Sequence, residues 1–192
     1  MSILGIDIGT TTITALLLNE KNGKVIDKAT LKNDSFISNE FHFARLQDPE
    51  TILDIVIEAV TKITDGSDVS AIGVTGQMHG ILYLDENNAP ASPLFTWQDL
   101  RGNEKFENGR TYAEYLTETT NYKAATGFGL TTHFYNSKNR LIPKKAKKIS
   151  TIHDYVVSHL TDSIPVTHSS DAASLGFYDL RHHQFDSVAL LE

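Results

Sequence analysis

The chain opens on Ile3-Leu4-Gly5-Ile6-Asp7-Ile8-Gly9-Thr10-Thr11-Thr12, and no other stretch restricts its fold as strongly. An apolar run from Ile3 to Ile8 holds a single acid, as expected of a buried strand. An ionised carboxylate in apolar surroundings needs a partner. A hydrated Mg²⁺ is one, because that ion takes one or two carboxylates together with phosphate oxygens. Gly9 permits a tight turn and close approach of the backbone to a ligand. Thr10, Thr11 and Thr12 then present N–H and O–H donors. The stretch reads as a nucleotide phosphate loop, with Asp7 at the metal and Gly9 to Thr12 at the phosphates.

It is not a P-loop. GxxxxGK[ST] is absent, and the following Ile13-Thr14-Ala15-Leu16-Leu17-Leu18 reads as a second strand rather than a helix. A strand, an Asp-x-Gly-Thr-Thr turn and a strand together resemble the actin/hexokinase-type ATPase fold. The alternative is a plain hairpin whose Asp7 only tidies the turn.

Composition narrows the classes. The chain has 192 residues, 40% of them hydrophobic, enough for a domain with a real core. A net charge of −7 argues against nucleic acid or an anionic membrane as the main partner. The absence of cysteine removes disulfides, thiolate zinc sites and cysteine nucleophiles, and fits a reducing cytoplasm. No apolar run approaches the ~20 residues of a membrane helix, and the N-terminus enters a strand directly, with no signal peptide visible.

Further along, Asn22-Gly23 signals a turn into a third strand, Lys24–Leu31. Residues 32 to 47 read as a long excursion. Asp48 suits an N-cap and Pro49 the first helical position. Ile52, Ile55, Val56, Ala59, Val60 and Ile63 then repeat at helical spacing up to Gly66. Val69–Thr75 and Ile81–Asp85 read as strands around Gly76-Gln77-Met78-His79-Gly80. Residues 103 to 142 read as mainly helical, broken at Gly109 and at Gly127-Phe128-Gly129. Lys144 to Lys148 is a basic run, read as a solvated turn. Ile149–Ile152 reads as a strand, Asp154–Leu160 as a helix and Ser187–Glu192 as helical. Strands first, then helices alternating with strands, predict an α/β layer structure with a mixed sheet. Ligands in such sheets gather at the carboxyl ends of strands. Asp7, Gln77-Met78-His79 and Trp97-Gln98-Asp99 all stand at such ends and are expected to converge on one cleft.

Gln77 and His79 both donate and accept hydrogen bonds, and flanking glycines let a small ligand come close. That suits a polyhydroxylated substrate, the alternative being a tight turn with a surface histidine. Trp97 offers a flat apolar plate for the C–H face of a sugar. Asp99 can accept from two hydroxyls, or Arg101 can pair with it; the alternative is a core tryptophan with a surface ion pair. The remaining histidines show no metal spacing with acids, and no GxSxG elbow is present.

Together these segments resemble the FGGY carbohydrate kinases, the family of xylulokinase, glycerol kinase and sedoheptulokinase. The resemblance rests on Gly5 to Thr11, on Gly76 to Gly80, on Thr96-Trp97-Gln98-Asp99-x-Arg101 and on Ser170-Asp171-Ala172-Ala173, in that order. Thr151 to Val157 is most similar to sedoheptulokinase-like members. The resemblance implies an α/β, ribonuclease-H-like domain with a mixed five-stranded-type sheet flanked by helices, as one lobe of two. It implies ATP and Mg²⁺ as cofactors, with Asp7 holding the metal through water. Thr10, Thr11 and Thr12 would face phosphates; Gln77, Met78, His79, Trp97 and Asp99 would line a sugar pocket. Thr14 stands where glycerol kinase carries an arginine, which disfavours glycerol. Residues 1–192 would be the N-terminal domain. The second lobe and the general-base aspartate would lie past Glu192, so this stretch alone is expected to be inactive. The implied partner is a small sugar, a ketose or polyol, with no nucleic acid and no membrane. Surface left by a missing lobe is compatible with a homodimer. A non-catalytic sugar-binding or regulatory module, an actin-like structural ATPase, and an acetate-kinase-like or hexokinase-like enzyme are the alternatives.

Overall fold

A computed structural model describes residues 1–191, and the expected helical stretch at Ser187–Glu192 ends outside them. The strands are β1 (Ser2–Ile8), β2 (Thr12–Asn19), β3 (Val25–Lys32), β4 (Phe36–Ile37), β5 (Leu46–Gln47), β6 (Val69–Gly76), β7 (Leu82–Leu84), β8 (Leu94–Phe95), β9 (Lys148–Ser150), β10 (Tyr178–Asp179) and β11 (Gln184–Phe185). The α-helices are α1 (Pro49–Thr64), α2 (Tyr112–Thr120), α3 (Gly129–Lys138), α4 (Ile152–Thr161) and α5 (Ser169–Leu175). The chain divides into two compact units: Met1–Phe36 with Asp48–Gln77, and Ile37–Gln47 with Met78–Glu192.

The first unit is a mixed sheet in the order β3-β2-β1-β6. β1 runs antiparallel to β2 and parallel to β6. Alternation along the strands sends Leu4, Ile6 and Ile8 of β1 and Ile13, Ala15 and Leu17 of β2 into the core. The matching stripe of α1, Ile52, Ile55, Val56, Ala59 and Ile63, is buried too. The Asp48 side chain caps α1 by accepting from the Thr51 amide at 3.1 Å, as the sequence predicts. Four strands make this sheet where five were expected. The Ile81–Asp85 stretch supplies β7, which pairs with β9 in the second unit instead.

The second unit is built around Phe43, Leu46, Ile81, Tyr83, Phe95, Tyr112, Leu116, Leu130, Phe134, Leu175 and Phe177. β5 pairs with β8, and Ile81 bridges to Phe95, so three stretches distant in sequence meet under this core. α2 starts in a capping box of Thr111 and Glu114, and α4 is capped by Thr151. The predicted strand at Ile149–Ile152 is β9, which begins one residue earlier and ends two residues earlier, with Ile152 already helical. The basic run starts as the expected turn at Lys144 and Lys145 but ends in β9, where Lys148 is half-buried. Lys145 Nζ donates to the Pro90 carbonyl and Lys148 Nζ to Asn88 Oδ1. Only a short 3₁₀ turn, Ala189–Leu191, falls within the predicted C-terminal helix.

Candidate functional site

In the first unit, the turn between β1 and β2 is held from three sides. Asn33 Nδ2 donates to the Gly9 carbonyl at 2.8 Å, and the Asn33 amide donates to the Thr11 carbonyl at 2.9 Å. A Cβ on Gly9 would meet the Thr12 carbonyl oxygen at 2.7 Å, so only glycine closes this turn. The Gln77 amide donates to the Ile8 carbonyl at 2.9 Å, and Gln77 Oε1 accepts from Thr10 Oγ1 at 3.4 Å. Gly76 is pressed against β1, where a Cβ would lie 2.4 Å from the Ile8 carbonyl oxygen. Gln77, read from the sequence as a sugar contact, thus packs beside the phosphate-loop candidate. Thr11 and Thr12 are exposed and Thr10 half-buried.

Asp7 corrects one step of the sequence reading. Its carboxylate is exposed, not buried. The same alternation that buries Ile6 and Ile8 turns Ile3, Gly5 and Asp7 to the opposite sheet face, which α1 does not cover. Water solvates the charge, so desolvation supplies no demand for a metal. Asp7 stands opposite Thr14 on β2 and Thr75 on β6. With Gly5, Leu16 and Gly73 these residues line a shallow depression of about 420 Å³. Thr14 Oγ1 lies 3.0 Å from Thr30 Oγ1. One accessible carboxylate flanked by hydroxyls fits Mg²⁺, a hard ion that keeps several of its waters.

In the second unit, His79 has a left-handed backbone, φ 71°. Its amide donates to Ser174 Oγ at 3.2 Å, and its Nδ1 lies 2.6 Å from the Ser174 carbonyl oxygen. Its ring stacks on Phe128, with centroids 4.6 Å apart and planes 12° apart. The preceding Gly127 abuts Trp97. At φ +83° a Cβ there would sit 2.1 Å from the Trp97 carbonyl oxygen. Two adjacent residues, Gly127 and Phe128, thus touch the Trp97 backbone and the His79 ring. Trp97 is 47% exposed and Met78 49% exposed, two apolar surfaces open to a ligand.

Asp99 is the second correction. It is fully buried, and Arg101 is 4% exposed. Arg101 Nε donates to Asp99 Oδ1 at 2.7 Å and Nη2 to Oδ2 at 3.0 Å. The Arg101 and Arg45 amides donate to the same two oxygens, each at 3.1 Å. A carboxylate occupied in this way has no face for a sugar hydroxyl. The pair inverts the bland alternative as well: the tryptophan is half in solvent and the ion pair is in the core.

The guanidinium lies 4.3 Å from the Phe95 ring centroid and 5.4 Å from that of Tyr135. Nη1 donates to Asn136 Oδ1, Asn136 Nδ2 donates to the Tyr83 hydroxyl at 3.2 Å, and that hydroxyl meets His133 Nδ1 at 2.9 Å. Burial pushes the Tyr83 phenol up to about 12, against smaller lowering by Asn136 and Arg101. Burial also holds His133 below its ordinary range. Sequence reasoning missed Arg45, Tyr83, Phe128, His133, Asn136 and Ser174 as parts of this arrangement. Only Phe128, between two glycines, and Ser174, next to the Ser170–Ala173 motif, carried any signal. Two other cavities in this unit, about 210 and 370 Å³, are lined by Leu130, His133 and Leu190 and contain none of the predicted residues.

Residues 2–191 match the N-terminal domain of the FGGY family of carbohydrate kinases. The chain belongs to the FGGY family. Among FGGY relatives, a gluconokinase from Bacillus subtilis is 28% identical over 98% of this chain and 37% of its own length. A mouse sedoheptulokinase is 31% identical over 95% of this chain and 43% of its own length. The crystal structure of a ligand-bound xylulose kinase from Lactobacillus acidophilus superimposes with a TM-score of 0.80 at 21% identity, covering 98% of this chain and 39% of that one. The actin/hexokinase-type fold is therefore shown. The chain spans about two fifths of the length of these FGGY relatives.

Proposed function

We propose that the protein passes the γ-phosphoryl group of ATP to a hydroxyl of a ketose or polyol, with Mg²⁺ as cofactor. The first unit provides the nucleotide side and the second the sugar side. Family membership supports the reaction class. The observation that carries the sugar reading is the Gly127-Phe128 step, which packs on the Trp97 backbone and on the His79 ring while the Trp97 and Met78 side chains stay exposed.

Phosphoryl transfer depends on positioning and electrostatic stabilisation. Asp7 would hold the metal through water, and bound Mg²⁺ would offset charge on the γ-phosphoryl. Thr10, Thr11 and Thr12 would donate to phosphate oxygens. Gln77 keeps that loop in place through Thr10. His79, Trp97 and Met78 would hold the sugar, while Asp99 acts through Arg101 and the Arg45 amide to fix the backbone around Trp97. The nucleophile is a sugar hydroxyl whose proton goes to a carboxylate within hydrogen-bond reach. On this reading that carboxylate would lie past Glu192, and residues 1–192 would serve as the N-terminal domain of the enzyme. A cytoplasmic setting suits a chain without cysteine.

Calorimetry on two variants tests the division of labour. Asp7→Ala is expected to lose Mg-nucleotide binding and keep sugar binding; Trp97→Ala is expected to do the reverse. Sugar binding without any nucleotide binding in the unsubstituted chain would point to a non-catalytic sugar module. Loss of the same ligand in both variants would overturn the assignment.

A further inference from the structure

On the reading of His79 as a sugar contact, the surroundings of its ring specify more than a place. The Ser174 carbonyl oxygen lies 2.6 Å from Nδ1. A carbonyl accepts and never donates, so Nδ1 must carry the ring proton. Ser174 Oγ accepts from the His79 amide at 3.2 Å and donates to the Asp171 carbonyl at 2.8 Å. One serine thus holds the histidine at both its backbone and its ring, and is itself tied back into its own helix. Stacking on Phe128 fixes the ring plane. What remains is Nε2, which has no partner among the described residues. In the tautomer set by Ser174 it is an acceptor.

We propose that Ser174 is a positioning residue that holds His79 as the Nδ1–H tautomer, so that Nε2 accepts a hydrogen bond from a sugar hydroxyl. The site then selects a hydroxyl over a carboxylate at that point. An anionic group facing a bare ring lone pair meets repulsion and is accommodated only if the ring takes a second proton. The discrimination is between groups at that one point, set by the placement of one proton.

Long-range ¹H–¹⁵N spectra of the labelled full chain at pH 7.5 test it directly, with His79 assigned by the signal lost in His79→Gln. Nδ1 should show the shift of a protonated nitrogen and Nε2 that of a bare one; the reverse overturns the proposal whether or not any sugar binds. Xylitol should move the Nε2 resonance and acetate, a carboxylate without hydroxyls, at equal concentration should not; equal movement by both overturns the selectivity. If the tautomer is as proposed and no sugar moves Nε2, the inference about Ser174 stands and the reading of His79 as a sugar contact falls. Two substitutions add a binding readout. Glutamine keeps an acceptor where Nε2 stands, whereas asparagine keeps only the donor toward Ser174. His79→Asn should weaken xylitol binding by about tenfold, the size of one lost hydrogen bond, and His79→Gln by clearly less. Equal loss in both contradicts the acceptor role.

Discussion

Five side chains link the candidate sugar segment to the interior: Asp99, Arg101, Asn136, Tyr83 and His133. Arg101 sets the first of their directions. Arg101 only donates, so Asn136 presents its oxygen to it and its NH₂ to Tyr83. The Tyr83 hydroxyl, which accepts from Asn136, meets His133 Nδ1 at 2.9 Å. The burial of His133 gives the protein a pH dependence with a definite sign. Burial lowers His133 from the ordinary imidazole value of 6.5, so the unfolded chain takes up the proton more readily than the folded one. The contribution is intact above pH 6.5 and is lost as pH falls through the depressed folded value. His133→Asn keeps an oxygen for the Tyr83 hydroxyl and cannot titrate. Urea unfolding between pH 7.5 and 5.5 should therefore show a flatter stability profile for this variant than for the unsubstituted chain. Identical profiles would mean that His133 is protonated equally easily in both states.

At the level of elements, the turns are set more tightly than the helices. Gly127 and Gly66 both have positive φ, +83° and +67°. Only Gly127 faces backbone, the Trp97 carbonyl; nothing lies within 4 Å of a Cβ on Gly66. Gly66→Ala should cost only left-handed strain, about 1–2 kcal/mol. Gly127→Ala should cost at least about 2 kcal/mol more, because rigid backbone must also move. It should shift the emission of the single tryptophan as well. Denaturation followed by fluorescence separates the two variants, and equal losses would show that the Gly127 contact is slack.

The same contrast explains what the sequence made legible. α1 was readable because its cap, its proline and its apolar stripe are all local, and β1 to β3 because alternation and turn signals are local. Asp7 was misjudged because an apolar run does not reveal which sheet face a helix covers. For Asp99 the pairing with Arg101, two residues on, was legible and holds; its burial was not, because the Arg45 amide and Asn136 reach this pair only through the β5–β8 pairing and the packing of α3. The fifth sheet strand failed for a similar reason, since no pattern within Ile81–Asp85 says that its mate is β9.

For the molecule as a whole, the proposed reading divides the chemistry between the two units, and the relatives are more than twice as long. In a coupled assay with ATP, Mg²⁺ and a panel of ketoses and polyols, residues 1–192 alone should give no sugar-dependent ADP. Turnover would require a base among the carboxylates of this stretch. A last consequence comes from the two rims of the first sheet. β3 borders solvent with Asp27, Lys28 and Lys32, charges that discourage another chain from pairing there. β6 has no charged residue from Val69 to Gly76, and Ser70, Ala71, Ile72 and Gly73 are all exposed. This bare ribbon is a template for strand addition, so crowding solutions of the isolated chain invites stacking along that side, and a single lysine in place of Ile72 would blunt it.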